Sequence, residues 1–454
     1  MTPHFRSKTS AHAPDNAPAP GLAARQAAAA ILADVLGGGR SLDDSFTGAS
    51  PNPALKDLDA RDRALVRSIT TAALRRFGLI RLALAQRLER GLPKRAGMLE
   101  WILIVGAAQI LFLDVPDRAA VDLAVRAVRL DKNAASFAGL TNAVLRGIAR
   151  DRDDILAQAD ALRDETPGWL AARWAQAYGL DRASAIASAH RHEPSIDLTV
   201  KADPDLWAQR LSGRALPNGS VRLETHAPIP ELDGYDQGEW WVQDAAASLP
   251  ARLLHVQPDE RVADLCAAPG GKTAQLAALG ADVTAVDRSA QRLKRLATNL
   301  ERLGLTTHVV VDDAQNLQAD PFDAVLLDAP CSATGTIRRH PDVAWVRTIG
   351  DITKLAALQS RLLDKAVSLL KPNGRLVYCT CSLEPEEGEN QIAALLRRNP
   401  DVVREPIDPA EIGGWAQCLT PDGDLRTLPC HLPDPEPRFA GLDGFFASRL
   451  RRKG

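Results

Sequence analysis

Between residues 21 and 150, apolar side chains return every three or four positions, the period of helices that each bury one stripe. The pattern predicts helices over 23–36, 61–77, 79–90, 98–113, 119–130 and 134–149, with breaks at Gly37-Gly38-Gly39, Pro51, Pro53, Pro93 and Pro116. This stretch reads as an all-α domain. Upstream, residues 1–20 are mostly Ala, Pro, Ser and His without periodicity, which predicts a flexible tail. Residues 155–240 combine two helical segments with short extended runs such as Ile196–Val200, broken by Pro194, Pro217, Pro228, Pro230 and Gly234. A small α+β connector suits them. After Val242 the pattern alternates between strand and helix, the signature of βαβ units in a mostly parallel, Rossmann-like sheet. Strands are predicted over 261–265, 283–286, 308–311, 322–327 and 375–378, and helices over 272–279, 290–303 and 353–370. In the last helix Leu355, Leu358, Leu362, Ala366 and Leu369 form one apolar stripe. No solenoid repeat is visible. The expected order is a tail at 1–20, a helical domain at 21–154, the connector at 155–240 and an α/β domain at 241–454.

The length of 454 residues, with 45% hydrophobic and 25% charged residues, fits a multidomain globular chain and excludes collagen-like, coiled-coil and wholly disordered classes. The net charge of −2 hides an asymmetry: residues 1–160 sum to +5 and residues 161–454 to −7. The basic part concentrates in residues 61–95, which hold ten Lys or Arg against Asp62 and Glu89. Arg63 and Arg67, one turn apart, share a helix face, as do Arg87 and Arg90, a layout suited either to a solvated surface or to tracking phosphates. Six cysteines are too sparse for a disulfide scaffold, and no leader-peptide pattern precedes the first helix, so a reducing cytoplasm is expected. The most apolar stretch, Met98–Leu113, carries Glu100 and Gln109 and falls short of the roughly 20 residues a membrane span needs. It reads as a buried helix, and no membrane association is expected.

Candidate chemistry lies at the strand ends of the α/β domain. The first strand runs into Asp264-Leu-Cys-Ala-Ala-Pro-Gly-Gly-Lys-Thr273, where two glycines between strand and helix let backbone amides approach a ligand. A P-loop would need glycine at position 266, where Cys266 stands, and a dinucleotide fold would need G-x-G-x-x-G; neither is present. The second strand ends in Asp287, 23 residues after Asp264, where a carboxylate can take ribose hydroxyls. The fourth ends in Asp328-Ala-Pro-Cys-Ser332 and the fifth in Tyr378-Cys-Thr-Cys-Ser382, so Cys331 and Cys381 should meet in the same crevice. Cys379, Cys418 and Cys430 read as small buried hydrophobes, and so does Cys266, whose place in the turn packing and backbone explain. The thiols lack C-x₂-C spacing and no histidine pair accompanies them, so no metal site is expected.

DLCAAPGGKT at 264–273, AVDRS at 285–289, DAPCSATGTIRRHPD at 328–342, LVYCTCSLEPEE at 376–387 and GLDGFFASRL at 441–450 resemble, in order, the Nol/Nop/Sun family of RNA cytosine-5 methyltransferases. RDRALVRSITTAALRR and GLTNAVLRGIAR look like the NusB-type RNA-binding domain. The resemblance implies a class I S-adenosylmethionine-dependent methyltransferase fold behind a NusB-like domain. It implies S-adenosylmethionine held by Cys266, Ala267, Ala268, Pro269, Gly270, Gly271 and Lys272, with Asp287 on the ribose, Asp313 near the adenine and Asp328, counted with the cofactor contacts too, at the base of the target pocket. Cys381 would be the nucleophile and Cys331 would assist product release; DNA cytosine-5 enzymes attack from the Pro-Cys loop, which is the rival assignment for Cys331. Arg63, Arg67, Arg75 and Arg76 would contact RNA. The implied substrate is ribosomal RNA of the small subunit, with transfer RNA as the rival, and the helical domain alone would also suit a non-catalytic, antitermination-like RNA binder. Nothing demands more than a monomer. Two departures stand out: SIDLTVKAD at 195–203 lacks the family's Arg-x-Asn, and KPNG at 371–374 replaces KPGG. The first puts an RNA contact by the connector in doubt.

Overall fold

The computed structural model describes residues 19–48, 50–225 and 227–454. The tail expected over 1–20 lies, but for its last two residues, outside the described residues. The described chain divides into two compact units, the first ending at Ala159 and the second beginning at Asp160.

The first unit is all-helical. Helix Leu99–Phe112 is buried nearly all round and packs against Leu22–Leu32, Ala60–Arg75, Asp117–Leu130 and Ala138–Arg150. Its lack of a polar face is why the sequence reads as one apolar run. Among the described residues no helix is long and apolar enough to cross a membrane. The helix expected over 79–90 ends at Ala85, because Gly91 and Pro93 follow closely and the chain closes in turns. A short helix, Leu42–Thr47, was hidden in a polar stretch; Ser41 caps it by accepting from the Asp44 N–H.

The second unit, Asp160–Gly454, contains both remaining parts of the chain. Helices Gly168–Tyr178 and Leu180–Ala189 lead into four antiparallel strands, β1 (Asp197–Val200), β2 (Gly213–Ala215), β3 (Ser220–Leu223) and β4 (Trp240–Val242), ordered β2-β3-β1-β4. Leu198, Val221 and Trp240 form the centre of their core. Then come β5 (Arg261–Leu265), β6 (Asp282–Asp287), β7 (His308–Val311), β8 (Phe322–Asp328), β9 (Leu370–Thr380), β10 (Val402–Arg404), β11 (Leu425–Thr427) and β12 (Phe445–Arg452). The main path is β10-β12-β9-β8-β5-β6-β7, parallel from β9 through β7, with β12 antiparallel between β9 and β10.

Side-chain alternation builds both faces of this sheet. Val262, Ala324, Leu326 and Val377 enter one core beneath helix Leu249–Leu253. Ala263, Leu265, Val325, Leu327, Leu376 and Tyr378 enter the other, against helix Ile349–Ser368. A parallel sheet buried on both faces gives near-continuous apolar runs. The order of strands reverses at β5, whose neighbours are β6 on one side and β8 on the other. That reversal opens a crevice outside the carboxyl ends of β5 and β8.

Candidate active site

The glycine turn is fixed by backbone geometry. Cys266 leaves β5 at φ 63°, Ala268–Pro269 is cis, and Gly270 sits at φ 106°. A Cβ on Gly270 would lie 2.7 Å from Leu296 Cγ, so glycine is required there for space as well as for conformation. Helix Gly271–Ala278 starts at once. Opposite the turn, at the end of β6, buried Asp287 accepts from the Ala268 N–H at 3.2 Å and the Ser289 N–H at 2.9 Å, and lies 3.3 Å from Arg292 Nη1. A cleft beside it is lined by Cys266, Asp287, Asp313, Pro330, Leu358 and Leu362. Carboxylates for hydroxyls and apolar walls for a flat ring fit a nucleoside-bearing cofactor.

Asp264, buried at the foot of this turn, accepts from Thr273 Oγ1 at 2.5 Å, while its Oδ1 has no hydrogen-bond partner among the described residues. Burial pushes its carboxyl up to about 7. Lys272 places Nζ 2.8 Å from Asp328 Oδ2 and 5.0 Å from the centre of the Phe445 ring. Burial works against its ammonium, but the Asp328 carboxylate prevails and holds Lys272 above the ordinary lysine range. Asp328 Oδ1 accepts from the Cys379 thiol at 3.6 Å.

The two expected cysteines meet. Cys331 Sγ and Cys381 Sγ are 3.5 Å apart, within range of a hydrogen bond between sulfurs. Contact with the Cys381 thiol, and then burial, push Cys331 well above the ordinary thiol range. Their loops are laced together by backbone bonds: Ala329 N–H donates to the Cys379 carbonyl at 3.0 Å, and Gly335 N–H to the Cys381 carbonyl at 3.0 Å. Gly335 in turn presses on the turn before β12, where a Cβ would fall 1.8 Å from the Gly444 carbonyl oxygen. Cys379 and Cys418 are buried, as expected of structural thiols, and Cys430 is half-buried.

Other residues of the site were not singled out from sequence. Glu387, fully buried, accepts from the Ser332 N–H at 2.9 Å, the Ser382 hydroxyl at 2.6 Å, Gln359 Nε2 at 3.2 Å and the Ser332 hydroxyl. Next to it, Glu384 takes Arg173 Nε at 2.5 Å, and Tyr178 OH donates to the Leu383 carbonyl, so helix Gly168–Tyr178 braces the Cys381 loop. The acidic run Glu384-Pro-Glu-Glu387 resembles a solvated turn; its position directly after Thr-Cys-Ser was the available signal.

The other expected residues lie elsewhere. Arg63 and Arg67 are exposed on helix Ala60–Arg75; Arg63 donates to the Leu58 carbonyl at 3.0 Å, and Arg67 lies 4.2 Å over Phe46 and 3.5 Å from Asp43. Arg75 and Arg76 are half-buried, with Arg76 4.5 Å over the Phe112 ring. In the connector segment that lacks Arg-x-Asn, two polar side chains are used internally: Thr199 Oγ1 bonds Gln243 Oε1 at 2.8 Å, and Lys201 Nζ donates to the Leu303 carbonyl at 2.5 Å.

Known proteins share both the parts and their order. Residues 251–451 match the family described as 16S rRNA methyltransferase RsmB/F, and residues 22–150 match the NusB family. Ribosomal RNA small subunit methyltransferase B of Xanthomonas campestris is 40% identical over 86% of this chain and 91% of its own length. The protein of the same name from Cronobacter sakazakii is 35% identical over 94% of this chain and 98% of its own. Among solved structures, a methyltransferase homolog protein from Pyrococcus horikoshii is 30% identical, covering 66% of this chain and 98% of that one, with a TM-score of 0.53. The chain therefore belongs to the RsmB/F family of ribosomal RNA methyltransferases, as an S-adenosylmethionine-dependent enzyme with an amino-terminal domain of the NusB family.

Proposed function

We propose that this methyltransferase forms 5-methylcytosine in 16S ribosomal RNA through a covalent adduct between Cys381 and C6 of the target base. The observation that carries the reading is the pair of thiols, 3.5 Å apart, at the ends of β8 and β9 beside the glycine turn. C5 of cytosine is a poor nucleophile, and thiolate addition at C6 overcomes this. Cys381 forms the S–C6 bond, and the C5=C6 electron pair moves to C5. S-adenosylmethionine, which the turn Cys266–Lys272 would hold with Asp287 at its ribose and Asp313 near its adenine, would supply an electrophilic methyl group to C5, its S–CH3 bond breaking to leave S-adenosylhomocysteine. Asp328, with one carboxylate oxygen engaged by Lys272 and the other facing, among the described residues, only the Cys379 thiol, is suited to bond the N3/N4 edge of the base. Once C5 carries the methyl group, its proton passes to water in a step that Cys331 assists, the C5–H electron pair re-forms C5=C6, and the S–C6 bond breaks with its pair returning to Cys381 as thiolate.

The relatives' names favour ribosomal over transfer RNA. A binding module without catalysis has no use for paired thiols beside a cofactor turn. Exposed Arg63 and Arg67, with Arg75 and Arg76, are the proposed phosphate contacts of the helical unit. Bisulfite sequencing of RNA from a deletion strain tests the substrate. One 16S cytosine should lose its protection and regain it when the gene is restored; protection lost only in transfer RNA, or nowhere, would overturn the assignment.

A further inference from the structure

We propose that Glu387 is a positioning residue that sets which of the two thiols attacks. The proposal rests on the cysteine chemistry above. Glu387 lies in the turn after β9 and is fully buried, yet its carboxylate accepts from both cysteine loops. From the β8 side come the Ser332 N–H, one peptide unit after Cys331, at 2.9 and 3.2 Å to its two oxygens, and the Ser332 hydroxyl. From the β9 side comes the hydroxyl of Ser382, the neighbour of Cys381, at 2.6 Å. Gln359 Nε2 spans from the Pro330 carbonyl at 2.8 Å to Glu387 Oε1 at 3.2 Å. The Glu387 carbonyl takes Tyr378 OH at 2.7 Å and Thr380 Oγ1 at 3.2 Å, anchoring its own backbone to β9.

A buried carboxylate is stable only where donors surround it, and here those donors are the residues next to each thiol. Its position does two things. It fixes the register of the loops, so that the sulfurs meet at 3.5 Å. It also puts a negative charge on the Cys331 side, which adds to contact with Cys381 and burial in keeping Cys331 protonated. A protonated Cys331 can donate to the Cys381 sulfur and leave it as the nucleophile. Without the carboxylate the thiols lose this distinction. The cofactor turn, which Glu387 does not touch, should be unaffected.

Thiol alkylation tests this independently of methyl transfer, because the thiolate is the form that reacts. The full-length protein is treated with limiting iodoacetamide at one pH, and labelling at Cys381 and Cys331 is counted by peptide mass spectrometry. In the wild type Cys381 should be labelled ahead of Cys331. In Glu387→Gln, whose amide can no longer accept from every donor, the ratio should fall toward unity and kcat should drop about tenfold or more, the scale of one hydrogen bond to a buried charge. KM for S-adenosylmethionine should hold, and Glu387→Asp should restore part of the selectivity. Should Glu387→Gln fail to bind cofactor, the same ratio read in Ser382→Ala decides, with a smaller fall expected. An unchanged ratio in the variant that binds cofactor overturns the proposal. Methylation retained in Cys381→Ala would instead overturn the nucleophile assignment, whatever the labelling ratio shows.

Discussion

Asp264 shows how much one buried side chain can impose on the whole protein. Its carboxyl is raised to about 7 by burial, with one oxygen lacking a hydrogen-bond partner among the described residues. An unfolded aspartate ionises near pH 4. Between roughly pH 4 and 7 the folded state therefore holds a proton that the unfolded state has lost, so this residue's contribution to stability is full below about pH 4 and falls away as pH rises to about 7. Asp264→Asn should flatten the fall in melting temperature across that window and melt higher than the wild type at pH 8. Parallel curves for the two proteins would show that Asp264 is ionised in the fold. At this scale the sequence spoke through residue types at strand ends. Asp287, Cys331 and Cys381 were legible because each closes or follows a strand. Glu387 was not, because a carboxylate in an acidic run beside a proline signals solvent unless its donors, among them Ser332 from a loop some fifty residues away, are known.

The elements that carry the site differ in how openly they announce themselves. Parallel strands β5, β6 and β8 are apolar on both faces and bounded by glycine or proline, and the sequence placed them to within a residue or two. Strands β10, β11 and β12 were missed: two are three residues long, and β12, Phe445–Arg452, carries arginines whose partners come from distant segments, as with Arg449 and Glu411. Antiparallel insertion between β9 and β10 is a long-range fact that local periodicity does not contain. The β5-to-helix turn, by contrast, is local, and its demand is strict. Gly270→Ala would place a methyl group 2.7 Å from Leu296 Cγ in a left-handed conformation that costs a non-glycine residue about 1–3 kcal/mol. Calorimetric affinity for S-adenosylhomocysteine should fall by about tenfold or more, following from that cost. Unchanged affinity would mean that the turn is not the cofactor site.

At the scale of the molecule, charge and chemistry are divided between the two units. The amino-terminal part is basic and helical, and the acidic carboxy-terminal unit holds every cysteine. Folding brings sulfurs fifty residues apart to 3.5 Å beside an ion-paired Asp328 and a glycine turn. The central claim is the order in which those sulfurs act, and the two cysteine variants should fail differently. Cys381→Ala and Cys331→Ala are incubated with S-adenosylmethionine and 16S ribosomal RNA and run on one denaturing gel. Cys381→Ala should give neither methylated RNA nor a covalent complex, whereas Cys331→Ala, able to attack and transfer but slow to release, should accumulate a protein–RNA band that survives denaturation. A covalent band in Cys381→Ala, absent in Cys331→Ala, would contradict the account and make Cys331 the nucleophile.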